Sequence, residues 1–207
     1  MCGWVLRVWE KLTPLLELLK EKLISDPPMG VDESTVRVLN EPNKKSKSKC
    51  YMWFFCQGPP GKKIIIFRYS SGRDGRVAIK FPGDYHGYVQ TDSFAGYNFL
   101  DTSEGIIHLA CWAHARHKFV EVARLYNESD KKNEARKRNA AYAIESIAQL
   151  YMIAKKAINL SIEERYQLQL EQAKPILDEF KIWLTDNSPI IPPKKLLGEA
   201  FKYTISQ

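Results

Sequence analysis

Apolar residues in "WVLRVWEKLTPLLELLKEKL" fall at Trp4, Val8, Leu12, Leu15, Leu19 and Leu23, near the 3.6-residue period of an α-helix. That stripe needs a partner surface, with core packing the expected use and dimerisation the alternative. "DPPMG" at 26–30 ends the helix, because proline lacks an amide donor and disfavours helical backbone in the residue before it. The period then changes. "VDESTVRVLN", "CYMWFFCQG" and "KKIIIFRYS" are β-favouring runs set apart by the turn-rich "EPNKKSKSK" and "QGPPGKK", and they predict an antiparallel meander. "GRDGRVAIKFPGDYHG" is ambiguous and has room for a short helix. "YVQTDSF" and "GIIHLACW" complete five strands within residues 30–112.

Beyond Cys111 the helical period returns. Phe119, Val122, Ala123 and Tyr126 share one face, and Ile144, Ile147, Tyr151, Ala154 and Ile158 share another. "SIEE" at 161–164 has the capping-box form, so a helix starts there, and Pro175 kinks or restarts it. Ile176, Phe180, Trp183 and Leu184 continue the apolar face. The pattern thus predicts an N-terminal amphipathic helix (1–26), an α/β core (27–112) and an all-helical region (113–207), without internal repeats.

Composition narrows the class. The 207 residues are 44% hydrophobic, as a globular chain requires, and 31 Lys and Arg against 24 Asp and Glu leave a net charge of +7. That excess permits an anionic partner without requiring one. Four cysteines (Cys2, Cys50, Cys56, Cys111) form no dense disulfide framework, and Arg7, Glu10, Lys11 and Glu17 interrupt the first helix too often for it to span a bilayer. The expected setting is the cytoplasm, with no membrane association.

Asp92 stands where the fourth β run gives out, a place that aims a carboxylate rigidly. Asp32 lies on the first run. Three strands followed by two more, with acids on the first and at the end of the fourth, match the layout of a ribonuclease H-like mixed five-stranded sheet. In that layout strands one and four are neighbours and the two acids converge. Paired carboxylates repel unless a cation lies between them, and oxygen-only ligands suit Mg²⁺ or Mn²⁺ and two-metal phosphoryl transfer.

More specific is a set of words in fixed order: "VDESTVRVL", "YVQTDSFAGYN", "CWAHARHKFVEV", "SIEERYQLQLEQAKPILDEFKIWL" and "PPKKLLGEAFKYTISQ". Together they resemble the transposases of the insertion sequence 66 family, from about Leu15 onward. The resemblance implies a ribonuclease H-like core with an Asp, Asp, Glu triad and a helical insertion ahead of the Glu. Asp32 then matches the first catalytic and metal-binding acid and Asp92 the second. The third acid would follow "GEAFKYTISQ", so the expectation is an internal fragment that binds its metal weakly and is inactive alone. In the complete protein it would cut DNA and join transposon ends to a target, with a homo-oligomer as an option. The alternative is a degenerate remnant that binds DNA or a partner without chemistry.

Cys111 and His114, in C-x-x-H spacing, form a marker motif of that family. As half of a zinc site they lack a complete ligand set even with Cys50 and Cys56, so zinc is disfavoured and a structural role at a strand-to-helix junction is preferred. Lys44, Lys45, Lys47 and Lys49 make a basic loop to which Arg73, Arg76, Arg116 and Lys118 add. With duplex DNA as the implied partner, this set is the candidate phosphate track. Lys131, Lys132, Arg136 and Arg138 are assigned to an outward helical face. Glu33 reads as a surface residue of the strand rather than a substitute third acid.

Overall fold

Met29–Arg37 (β1), Lys49–Gln57 (β2), Ile64–Ser70 (β3), Gly87–Thr91 (β4) and Ile106–Ala110 (β5) form one mixed sheet in the order β3-β2-β1-β4-β5. The first three strands are antiparallel neighbours, whereas β4 runs parallel to both β1 and β5. The computed structural model describes residues 3–25, 28–39, 41–42, 48–58, 62–92, 94–125 and 134–206. Two compact units divide the chain, Met1–Ala110 and Cys111–Gln207.

Alternation along the strands sorts their side chains. Met29, Val31, Trp53, Phe55, Ile66 and Val89 lie on one face and are buried, sealed by Phe81, Tyr85, Tyr97 and Leu100. Each such large apolar side chain contributes roughly 1.5–3 kcal/mol by leaving water. The opposite face carries Ile65, Phe67, Tyr69, Tyr88 and Ile107, all exposed. The short helix allowed for in the ambiguous stretch forms at Val77–Lys80 (α2), and a 3₁₀ segment, Ala95–Thr102, follows β4.

The first helix, Gly3–Ile24 (α1), departs from expectation. Of its predicted core-facing stripe only Leu23 is buried, helped by Leu16 and Ile24, while Trp4, Val8, Leu12, Leu15 and Leu19 remain exposed. The core face of the sheet is already filled by Phe81, Tyr85, Tyr97 and Leu100. Only the last turns of α1 find a place on it, with Lys20 over the Phe81 ring.

In the second unit, Trp112–Leu125 (α3), Glu134–Lys156 (α4), Ile162–Leu168 (α5), Lys174–Asn187 (α6) and Leu196–Ile205 (α7) surround Phe119, Val122, Ile147, Phe180, Leu184 and Phe201. On α4 the buried stripe runs through Ala140, Ala143 and Ile147, whereas Tyr151 and Ile158 of the expected face are exposed. Ile147 of the expected face thus joins the core, and Ile144 packs partly against it. Tyr126 lies outside the described residues. The capping box forms as read: the Glu164 amide donates to Ser161 Oγ at 3.3 Å, and the Ser161 amide donates to Glu164 Oε2 at 2.8 Å. A π-helical turn, Gln169–Ala173, precedes Pro175. Its wider coil continues the helix past a residue that would otherwise clash with the preceding turn.

Candidate active site

The parallel register is the key to the site. Met29 faces Val89 and Gly30 faces Gln90. The same offset, carried two residues on, sets Asp32 against Asp92. Asp32 still lies within β1, opposite Phe54 of β2, while Asp92 is the first residue beyond β4. Alternation puts Asp32 on the sheet face opposite the buried core, and Asp92, one residue past the end of β4, has the parity of Gln90.

Each carboxylate is oriented by a backbone amide. Glu33 N–H donates to Asp32 Oδ1 at 2.8 Å, and Phe94 N–H donates to Asp92 Oδ1 at 3.0 Å. Two half-buried carboxylates held in this way offer hard oxygen ligands, which fits Mg²⁺ or Mn²⁺ and not a soft-metal site. Among the described residues no group of three His, Cys, Asp or Glu gathers as a metal cluster.

Glu33 is not a surface residue. Its side chain is only 1% exposed, because at position i+2 from the buried Val31 it turns into the core. There Arg73 donates to Oε1 from Nε and Nη2, each at 2.5 Å, and the Tyr97 hydroxyl donates to Oε2. Alternation points Glu33 to the face opposite Asp32's, and among the described residues the two do not gather with a third acid as a metal cluster. Burial first, then the Glu33 hydrogen bond, then the charges of Glu33, Asp92 and Asp32 push the Tyr97 phenol well above its ordinary range, so it stays protonated and donates.

The segment after Asp92 is fastened on both sides. The Arg73 guanidinium stacks 3.5 Å from the Phe94 ring centre, and Phe94 meets Tyr97 edge to face. Gly75 makes this approach possible, since a Cβ there would lie 1.8 Å from the Gly96 carbonyl oxygen. On the other side Thr91 Oγ donates to the Asp92 carbonyl at 2.6 Å and stands 2.7 Å from His108 Nε2, whose Nδ1 is 2.7 Å from Asp101 Oδ1.

The other candidates are dispersed. Arg76 is ion-paired with Asp74, and both are exposed. Lys44, Lys45 and Lys47 lie outside the described residues, as do Lys131 and Lys132. Lys49 opens β2 opposite Arg37, some five residues and roughly 17 Å along the sheet from Asp32. Arg116 and Lys118 belong to α3 in the second unit, where Lys118 lies over the Tyr203 ring. Cys111 and His114 begin that unit, and the His114 side chain, followed by the first amides of α3, holds the Cys111 thiol below its usual range. Cys50 and Cys56 sit on one strand about 20 Å apart and cannot close on a common ion.

The profile of the "Transposase IS66 family" matches residues 1–207. The chain belongs to the IS66 transposase family. This IS66 chain is 26% identical to the uncharacterized protein y4jD of Sinorhizobium fredii (strain NBRC 101917 / NGR234) over 98% of its length and 40% of the relative's. It is 24% identical to y4hP of the same strain, over 95% of its own length and 37% of that protein. It therefore spans about two fifths of these curated relatives. No solved structure matches it. Among the described residues, no helix of this family member is long and apolar enough to cross a membrane.

Proposed function

We propose that the sheet is a ribonuclease H-like transposase core in which Asp32 and Asp92 are two of the acids that hold Mg²⁺ or Mn²⁺. The supporting observation is the parallel β1–β4 register, which sets the two acids level at the end of the strand pair. The order β3-β2-β1-β4-β5, with the acid-bearing strands adjacent, is in keeping with that fold. When bound there, the divalent cation supplies activation of a hydroxyl and neutralisation of charge on a phosphodiester. This chain's own part is to present oxygen ligands oriented by the amides of Glu33 and Phe94. A third carboxylate, which the described residues do not gather at the site, would complete the set. In the whole protein water and then a DNA 3′-hydroxyl would attack, cutting the element free and joining it to target DNA.

Duplex DNA is accordingly the proposed partner. Fluorescence anisotropy with a labelled duplex should give a dissociation constant that rises steeply with salt, the slope reporting about 0.9 counterions per neutralised phosphate. Affinity independent of salt, or no binding even at low salt, would count against this chain as a DNA-contacting part of the transposase.

A further inference from the structure

The side chain next to the first acid is buried, charged and doubly tied, and among the described residues it does not gather with Asp32 and Asp92 as a metal cluster. Glu33 Oε1 takes Arg73 and Oε2 takes Tyr97, so each oxygen has a partner from another segment of the chain. Arg73 continues to Phe94 by ring stacking, and the Phe94 amide holds Asp92. Back on β1, the Glu33 amide holds Asp32. One residue thus sits at the junction of two short paths. One runs through its own amide to Asp32, and the other through Arg73 and Phe94 to Asp92.

From this arrangement we infer that Glu33 is a positioning residue that sets the separation and orientation of Asp32 and Asp92. The inference rests on the reading of those acids as metal ligands. A surface strand residue would not need a guanidinium and a phenol. A buried ion pair with only a stabilising task could be replaced, both partners together, by apolar side chains of similar volume at little loss. Here the charge also recruits Arg73 and Tyr97 from two segments that the sheet alone does not fix, the loop after β3 and the 3₁₀ segment after β4. Partners that orient metal ligands from behind typically set metal affinity by tenfold or more. Glu33 fills that role through backbone and ring contacts.

The test compares the whole chain with Glu33→Gln, Tyr97→Phe and Asp92→Asn, using Mn²⁺ calorimetry together with NMR and hydrogen exchange of the Phe94 amide. Tyr97→Phe removes one hydroxyl and keeps the ring packing, so it remains informative if Glu33→Gln folds poorly. Both substitutions are expected to weaken Mn²⁺ binding about tenfold and to shift and deprotect the Phe94 amide, while an amide of β2 such as that of Phe55 stays as it was. A fall in melting temperature with unchanged Mn²⁺ affinity and an unchanged Phe94 amide in both variants would overturn the proposal. If Asp92→Asn binds Mn²⁺ like the unmodified chain, the metal assignment fails. The Phe94 amide then decides the positioning role alone: displacement upholds it, and constancy overturns it.

Discussion

The ring of His108 stands 2.7 Å from the hydroxyl of Thr91, one residue before Asp92. Thr91 is 2% exposed and has one hydroxyl proton, which its 2.6 Å contact directs to the Asp92 carbonyl. His108 Nε2 faces that hydroxyl, and its Nδ1 lies 2.7 Å from Asp101 Oδ1, so the ring is tied at both nitrogens. Thr91→Val keeps the shape and leaves that ring nitrogen without its partner, so a loss of about 1–2 kcal/mol is expected. Thr91→Ser keeps the hydroxyl and should lose less. Urea denaturation of the two variants checks the order.

The Glu33–Arg73 pair should be asymmetric in stability. Arg73→Met strands a carboxylate that is 1% exposed, and a cost near ~3 kcal/mol is expected. Glu33→Gln leaves an arginine whose side chain is 38% exposed and can turn to water, so ~1–2 kcal/mol is expected. Denaturation midpoints in the reverse order would contradict the burial of Glu33.

Alkaline pH offers a separate test through Tyr97. Its folded-state proton is held more tightly than the unfolded one, chiefly by burial and then by Glu33. The resulting stability is complete below the unfolded value near pH 10 and declines as pH rises above it, by up to about 1.4 kcal/mol per pH unit. Tyr97→Phe should remove that share of the slope between pH 10 and 11.5, measured by denaturant titration.

Cys111 should alkylate faster than the buried Cys50. His114, followed by the α3 amides, lowers its range, whereas Cys50 is buried on the sheet. The rate of iodoacetamide labelling should rise with pH at a lower midpoint for Cys111 than for an ordinary cysteine. His114→Ala should move that midpoint upward, and an unmoved midpoint would contradict the contact.

Much of the frame is legible in the sequence. The five β runs, the change of period at Cys111 and the Ser161–Glu164 cap are local patterns, and each formed where it was read. What escaped was set by neighbours in space. The α1 stripe predicts burial but cannot show that Phe81 and Tyr97 already occupy the sheet. Glu33 reads as a surface residue although strand alternation from Val31 points it inward, because a charged residue is expected outside unless its partner is known. That partner, Arg73, lies forty residues away across a glycine contact. Tyr97 and Phe94 likewise gain their roles only once Asp92 ends its strand beside them.

Calorimetric titration of Mn²⁺ into the intact chain, beside Asp32→Asn and Asp92→Asn, tests the central claim most directly. One weak binding event is expected for the unmodified chain, since two carboxylates leave the rest of the ion's coordination to water. Either substitution should abolish it, because each acid supplies half of the charge at the site. Equal binding by all three proteins would contradict the assignment of Asp32 and Asp92 as a metal-holding pair.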